Sequence, residues 1–215
     1  AFSYGAWIKA ANNKSSGGII ARVDEKADYR GWDLWLNGAG LSVHIIQTWP
    51  TNAIKVTTQA NVVKPGQWQH VLATYDGSKT PGGMRVYLNG WSQELTPLLD
   101  LVGNRLPQRY PLRIGASGSL KPRFEGRIDD VRIYDAVLTS ELAAVVATGD
   151  SVSEIAAITP DQRTAAQADK IRLAFLDQYA PQEILEALEA VVMPMGGLAF
   201  RRGLQAWAAE TGWEG

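Results

Sequence analysis

Cysteine is absent from the 215 residues, which excludes disulfide frameworks, thiolate metal sites and covalent haem attachment within this chain. An excess of charge is absent too. Lys and Arg number 21 against 22 Asp and Glu, for a formal net charge of −1. That balance leaves no electrostatic footprint for nucleic acid or an anionic membrane, and the Arg201-Arg202 pair is too small to change it. No apolar run approaches the ~18 residues a membrane span needs, and no signal peptide is visible. The first residues, AFSYGAWIKA, are already strand-like and lack an initiator Met, so the sequence is expected to be a piece of a longer protein. His44 and His70 are the only histidines. With no cysteine and no strand–Gly-x-Ser-x-Gly–helix elbow, no nucleophile–base triad can be assembled from the sequence. The glycine pairs of SSGGII and TPGGMR sit in hairpin contexts and open no helix after a strand, so neither is a phosphate cradle.

What is present changes character near Leu138. Before it, β-branched and aromatic residues alternate with turn dipeptides. Strands are expected at Phe2–Ala10, Gly18–Val23, Trp32–Leu36, Leu41–Gln47, Ala53–Gln59, Gln67–Tyr75, Met84–Leu88, Leu112–Ala116 and Phe124–Tyr134. Asn37-Gly38, Asp76-Gly77 and Asn89-Gly90 are turn signals, because these residues accept positive φ cheaply. Strands about ten residues apart with no intervening helix predict an antiparallel sandwich, since parallel strands need crossovers. Met84, Val86 and Leu88 share one face of their strand. Val71, Ala73 and Tyr75 oppose Trp68, His70, Leu72 and Thr74, so that strand carries large groups on both faces.

After Leu138 the pattern is helical. LTSELAAVVATG has a Thr/Ser start and Gly149 as its stop. In TPDQRTAAQADKIRLAFLDQYAP, Thr159 is the expected N-cap, Pro160 the first helical residue and Gln162 the capping-box partner. Ala168, Ile171, Ala174 and Phe175 form an expected apolar stripe. Ile184, Leu185, Leu188, Val191 and Val192 form a second amphipathic helix. The expected organisation is a β domain over 1–149 followed by a helical appendage over 150–215.

Two kinds of side chain carry candidate chemistry. The stretch FEGRIDDVRIYDAVLTSEL gathers Glu125, Asp129, Asp130, Asp135 and Glu141. Asp129 and Asp130 are adjacent on a strand, so their side chains should point to opposite faces and cannot flank one scissile bond. Asp130 and Asp135, with loop carbonyls, are the candidate calcium ligands. The alternative is pairing with Arg127 and Arg132, with no metal and no cofactor. The tryptophans are the second kind. Six of eight (Trp7, Trp32, Trp35, Trp49, Trp68 and Trp91) lie in the β part. Trp faces pack on the apolar surfaces of sugars, and the indole N–H can donate. Trp32 and Trp35 have opposite strand parity, so at most one lines a given face. Trp49 sits in the loop QTWPTN beside Asn52. Trp49, Asn52 and Trp32 are the candidate ligand-binding residues.

Three segments carry a family likeness. FSYGAWIKA resembles the first conserved strand of laminin-G-like, pentraxin-related domains of the concanavalin A-like lectin/glucanase class. GQWQHVLATYDGSKTPGGMRVYLNGW resembles their central hairpin, and LRIGASGSLKPRFEGRIDDVRIYDAVLTSEL their closing strands and short helix. The resemblance implies a mainly β, antiparallel jelly-roll. It implies buried scaffold roles for Trp7 and Trp68, a structural hydrogen bond from His70, and a fold-signature role for GRIDDVRIYD. The Glu-x-Asp-x-x-Glu pattern of related glucanases is missing, which argues against catalysis. Such domains begin with one more strand than this sequence contains, so an edge near the closing strand is expected to be open to pairing. IAAITPDQRTAAQADKIRLAFLDQYAP resembles the linker after such domains in large planctomycete proteins that also carry cytochrome-c-type domains. Together these imply an extracytoplasmic, non-catalytic binding module for a polysaccharide or glycoconjugate. The alternative is a protein–protein interaction or spacer module that docks neighbouring domains.

Overall fold

The computed structural model describes residues 1–101, 110–118, 122–179 and Pro181. Eleven strands form two antiparallel sheets: β1 (Phe2–Ala10), β2 (Ser16–Asp24), β3 (Arg30–Asn37), β4 (Gly40–Thr48), β5 (Asn52–Thr58), β6 (Gln69–Tyr75), β7 (Met84–Leu88), β8 (Trp91–Ser92), β9 (Leu95–Leu101), β10 (Arg113–Ile114) and β11 (Gly126–Tyr134). One sheet has the order β11-β1-β6-β7-β8, the other β10-β2-β3-β4-β5-β9. This is the expected jelly-roll sandwich. Among the described residues β11 is the outer strand of its sheet.

The inner faces follow the alternation. Tyr4, Ile8, Ile19, Ile20, Leu34, Leu36, Leu41, Ile45, Ile54 and Met84 are fully buried between the sheets. Each contributes about 1.5–3 kcal/mol relative to exposure. Met84, Val86 and Leu88 join this core, as do Val71, Ala73 and Tyr75. The outer face of the five-stranded sheet holds a second cluster. There Leu72, Tyr87 and Tyr134 pack with Leu138 and Ala143. This explains the large residues on both faces of β6: one face meets the sandwich core, the other a helix.

That helix is α1 (Ser140–Val146), capped by the Thr139 hydroxyl. It ends at Ala147, two residues before the expected Gly149, because the Ala147 and Thr148 amides already close the last turn on Ala143 and Val145. Gly149 instead lies beside the Trp7 ring. Next come α2 (Val152–Ala156) and α3 (Ala165–Tyr179). α2 escaped the sequence reading, although Ser151 and Glu154 form a complete capping box. The Thr159–Gln162 signal is a single 3-10 turn without a side-chain cap bond. The box that starts α3 lies one step later: Thr164 Oγ1 accepts from the Gln167 amide, and Gln167 Oε1 from the Thr164 amide. Ala168 and Phe175 are exposed, not part of a buried stripe. α3 turns Lys170 inward, and its ammonium donates to the carbonyls of Thr148 (2.7 Å) and Asp150 (2.8 Å). The expected Ile184–Val192 helix and the tail after Pro194 lie outside the described residues.

Two strands were also missed. β8 has only two residues. β9 contains Pro97, which argues against a central strand, but β9 is the outer strand of its sheet, where a missing N–H is tolerated. Pro97 also falls at the register shift between Lys55 and Val56.

Candidate functional site

Among the described residues, the helices group with one another and with β8, and the six-stranded sheet carries a row of polar side chains on its outer face. Its chemistry follows from register. Gly38 and Ala39 turn the β3–β4 hairpin, which sets Asp33 opposite His44, and His44 in turn lies opposite Lys55. Directly paired residues of an antiparallel sheet project to the same face. The Asp33 carboxylate accepts from His44 Nδ1 at 2.6 Å. An ionised carboxylate has no proton to give, so Nδ1 carries the hydrogen and Nε2 is the ring atom left for another bond. From the core side, the Tyr4 hydroxyl donates to the Asp33 carbonyl at 3.0 Å. Burial first, and then the Asp33 charge, push the Tyr4 phenol well above its ordinary pKa, which keeps it a donor.

Trp49 closes over this row. It lies between Thr48 and Asn52, which pair across the end of the β4–β5 hairpin, and the Trp49–Pro50 peptide is cis. The Trp49 amide donates to the Asp28 carbonyl at 2.9 Å, tying the loop to the turn before β3. His44 meets the indole edge-on, with ring centroids 5.7 Å apart, and Lys55 Nζ stands 5.9 Å from the indole centroid. Trp49 and Asn52 are half-buried. The same tie brings Tyr29, 47% exposed, to this end of the sheet. Asp28 and Tyr29 both have positive φ (54° and 60°), a conformation that bulky side chains rarely adopt and that clusters at ligand sites.

Trp49 and Asn52 thus meet at one rim, whereas Trp32 does not join them. Trp32 lies on the opposite face of the same sheet, against Tyr4 (4.5 Å between ring centroids) and Phe2 (5.3 Å). Trp35, of the other parity, donates through Nε1 to the Ser16 hydroxyl. Trp68, expected in the scaffold interior, is 41% exposed. It lies just before β6, whose own residues are all buried. The His70 ring makes no bond through Nδ1. The ring packs edge-on against Trp7 at 5.5 Å, and the expected structural bond comes instead from the His70 backbone amide to Asn89 Oδ1.

Asp130 and Asp135 are both exposed. Asp130 does not follow the strand alternation. It lies at a bulge between the Gly5–Arg132 and Trp7–Asp129 pairs, with φ +47°. The bulge turns its carboxylate to Arg132, with Oδ1 on Nε and Oδ2 on Nη2, both at 2.7 Å. Among the described residues no three His, Asp or Glu side chains come together as a metal cage. Among them also, no Ser or Thr hydroxyl bonds His44, so the Asp33–His44 pair lacks the third member of a nucleophilic relay.

Sequence reasoning missed Asp33, Lys55 and Tyr29. Asp33 and Lys55 each stand 11 residues from His44, and only strand register unites them. The alternation of LSVHIIQT against GWDLW was the available signal.

Two antiparallel sheets around one core, with a polar and aromatic rim on the outer face of one of them, define a lectin-like jelly-roll. The chain belongs to the concanavalin A-like lectin/glucanases superfamily, whose model matches residues 1–143. Pappalysin-1 of Mus musculus is 27% identical over 152 residues, which cover 65% of this chain but 9% of that protein. Among solved structures, the CBM40 module of a Ruminococcus gnavus IT-sialidase is similar with a TM-score of 0.56. It is 13% identical, and the match covers 68% of this chain and 82% of that one. The same module bound to alpha2,3 sialyllactose aligns with a TM-score of 0.55 at the same identity and coverage. At such identity the likeness is one of fold. No helix among the described residues is long and apolar enough to cross a membrane.

Proposed function

We propose that this chain is a non-catalytic carbohydrate-binding module whose ligand sits at the Trp49 rim, within a larger extracytoplasmic protein. The observation that carries the reading is Trp49 itself. It is a half-buried residue whose backbone amide is held by the Asp28 carbonyl, with His44, Lys55 and Asn52 around it. A fixed aromatic surface beside a few polar groups is the chemistry that sugars require, with apolar C–H faces to stack and hydroxyls to bond. Family membership and the similarity to a sialidase CBM40 module support the class of ligand. The fold alone names no sugar. The proposed unit runs from residue 1 to Gly149, with the helices from 150 onward as an appendage. The test is a glycan array with the purified chain. Binding should vanish in Trp49→Ala while the far-UV spectrum is unchanged. A blank across diverse glycans would sink the proposal.

A second reading, a docking or spacer module, rests on one observation. Phe175 and Tyr179 pack tilted against one another on α3, ring centroids 5.3 Å apart, with 59% and 68% of their surfaces exposed. It predicts a blank array, and lost association with flanking domains when both aromatics become Ser.

A further inference from the structure

The charge at the Trp49 rim narrows the ligand beyond a sugar in general, and this step rests on the binding reading above. The ion pairs among the described side chains are Asp33–His44 and Asp130–Arg132, and neither uses Lys55. Asp33, on the same face, is already engaged by the imidazole at 2.6 Å. Arg30, the first residue of β3, donates through Nε to the Gln47 carbonyl at 3.1 Å. The cation set over the Trp49 ring is the Lys55 ammonium.

Its position is also restrained. Lys55 is on a central strand, between His44 of β4 and Leu99 of β9, with its stem half-buried and its ammonium over the indole. Cation–π contact keeps an ammonium near an aromatic face without satisfying its hydrogen-bonding protons. An ammonium placed in this way beside a sugar-stacking ring is set to receive an anionic substituent of the sugar stacked there. We infer that the Trp49 rim takes a sugar carrying a carboxylate or sulfate group, with Lys55 as the residue that binds the anion. His44, its Nδ1 hydrogen held by Asp33, offers Nε2 to a neighbouring hydroxyl.

The test uses matched ligand pairs on the intact chain, titrated by calorimetry. These are sialyllactose against lactose, glucuronate-terminated against glucose-terminated oligosaccharides, and sulfated against unsulfated galactosides. The wild type should prefer the acidic member of at least one pair by roughly ten- to hundredfold, the usual range for a charge-assisted bond. The pair with the larger preference identifies carboxylate or sulfate as the recognised group. Lys55→Gln keeps the stem and the fold, checked by an unchanged melting curve. It should erase the preference, bringing the acidic and neutral members of the pair to the same affinity. Equal binding of neutral and acidic members by the wild type overturns the inference and leaves the carbohydrate-binding reading standing. Acidic preference that survives in Lys55→Gln overturns it in the same way. Binding of neither member of any pair overturns both.

Discussion

At the scale of single residues, the two histidines have taken opposite roles, and each role is measurable. His44 is held by Asp33 in a nearly solvent-free contact. Removing one partner leaves the other buried and underused, so a double-mutant cycle of Asp33→Ala and His44→Ala should return a coupling energy of about 1–3 kcal/mol. Additive effects in urea unfolding would show that the 2.6 Å contact contributes nothing to stability. His70 is buried without a carboxylate partner. Burial first, and then the Arg132 charge, lower its pKa from 6.5 to about 4, against a smaller opposing effect of Asp130. The folded protein therefore holds fewer protons on this group than the unfolded chain between about pH 6.5 and 4. Stability from this group is complete above that window and is lost as pH falls through it, by roughly 3 kcal/mol. His70→Phe should show a shallower fall in melting temperature from pH 7 to 4 than the wild type. Parallel curves would contradict the assignment.

At the scale of elements, departures from ideal strands account for where the sequence reading went astray. Simple alternation separates Asp129 from Asp130 across the sheet. The bulge at Asp130 overrides it and delivers both Asp130 oxygens to Arg132. A carboxylate so engaged must give up two charge-assisted bonds to bind calcium. Millimolar calcium is therefore expected to leave the melting temperature unchanged. A rise reversed by a chelator would restore Asp130 and Asp135 as ligands, since a cation that binds only the folded state stabilises it by about 2.7 kcal/mol at a hundredfold excess. Gly90 illustrates a different constraint. It has φ +81°, and a Cβ there would meet the Ala144 backbone of α1 at 2.6 Å. Gly90→Ala should cost about 1–3 kcal/mol in chemical denaturation, from backbone strain together with displacement of α1. A neutral result would mean that α1 is not seated on this turn.

At the scale of the whole molecule, the two sheets are used differently. The five-stranded sheet packs one face on the sandwich core and sets Leu72, Tyr87 and Tyr134 of the other against α1 and Leu138. The six-stranded sheet packs one face on the same core and carries the Asp33, His44, Lys55 and Trp49 group on the other. α3 has no fully buried residue and holds to the body through Lys170 and its contacts with α1 and α2. Local opening there should cost far less than global unfolding. Hydrogen exchange is expected to run orders of magnitude faster in α3 than in the central strands β1 and β6. Equal protection would make α3 part of the sandwich's cooperative unit.

The chain's own residues determined the sandwich. Period-two alternation, the turn dipeptides and the absence of crossover helices admit few other folds. β1 and β7 run over the very residues that the pattern marked out. Trp49 and Asn52 could be picked as a loop pair because Pro50 and a polar setting announce a loop. The partners of Trp49 could not. Had Asn37 and Gly38 been the two turn residues of the β3–β4 hairpin, Asp33 would face Ser42. The turn instead forms at Gly38 and Ala39, and Asp33 meets His44. The two registers are two residues apart, so both keep the apolar face inward, and hydrophobic pattern cannot choose between them. Trp32 shows the same limit. Its parity was legible, but which parity faces the core depends on the second sheet, whose Phe2 and Tyr4 receive it. Local sequence sets what each segment becomes, whereas register and sheet-on-sheet packing are cooperative properties of the assembled chain. They alone decided that Asp33, His44, Lys55 and Trp49 form one site.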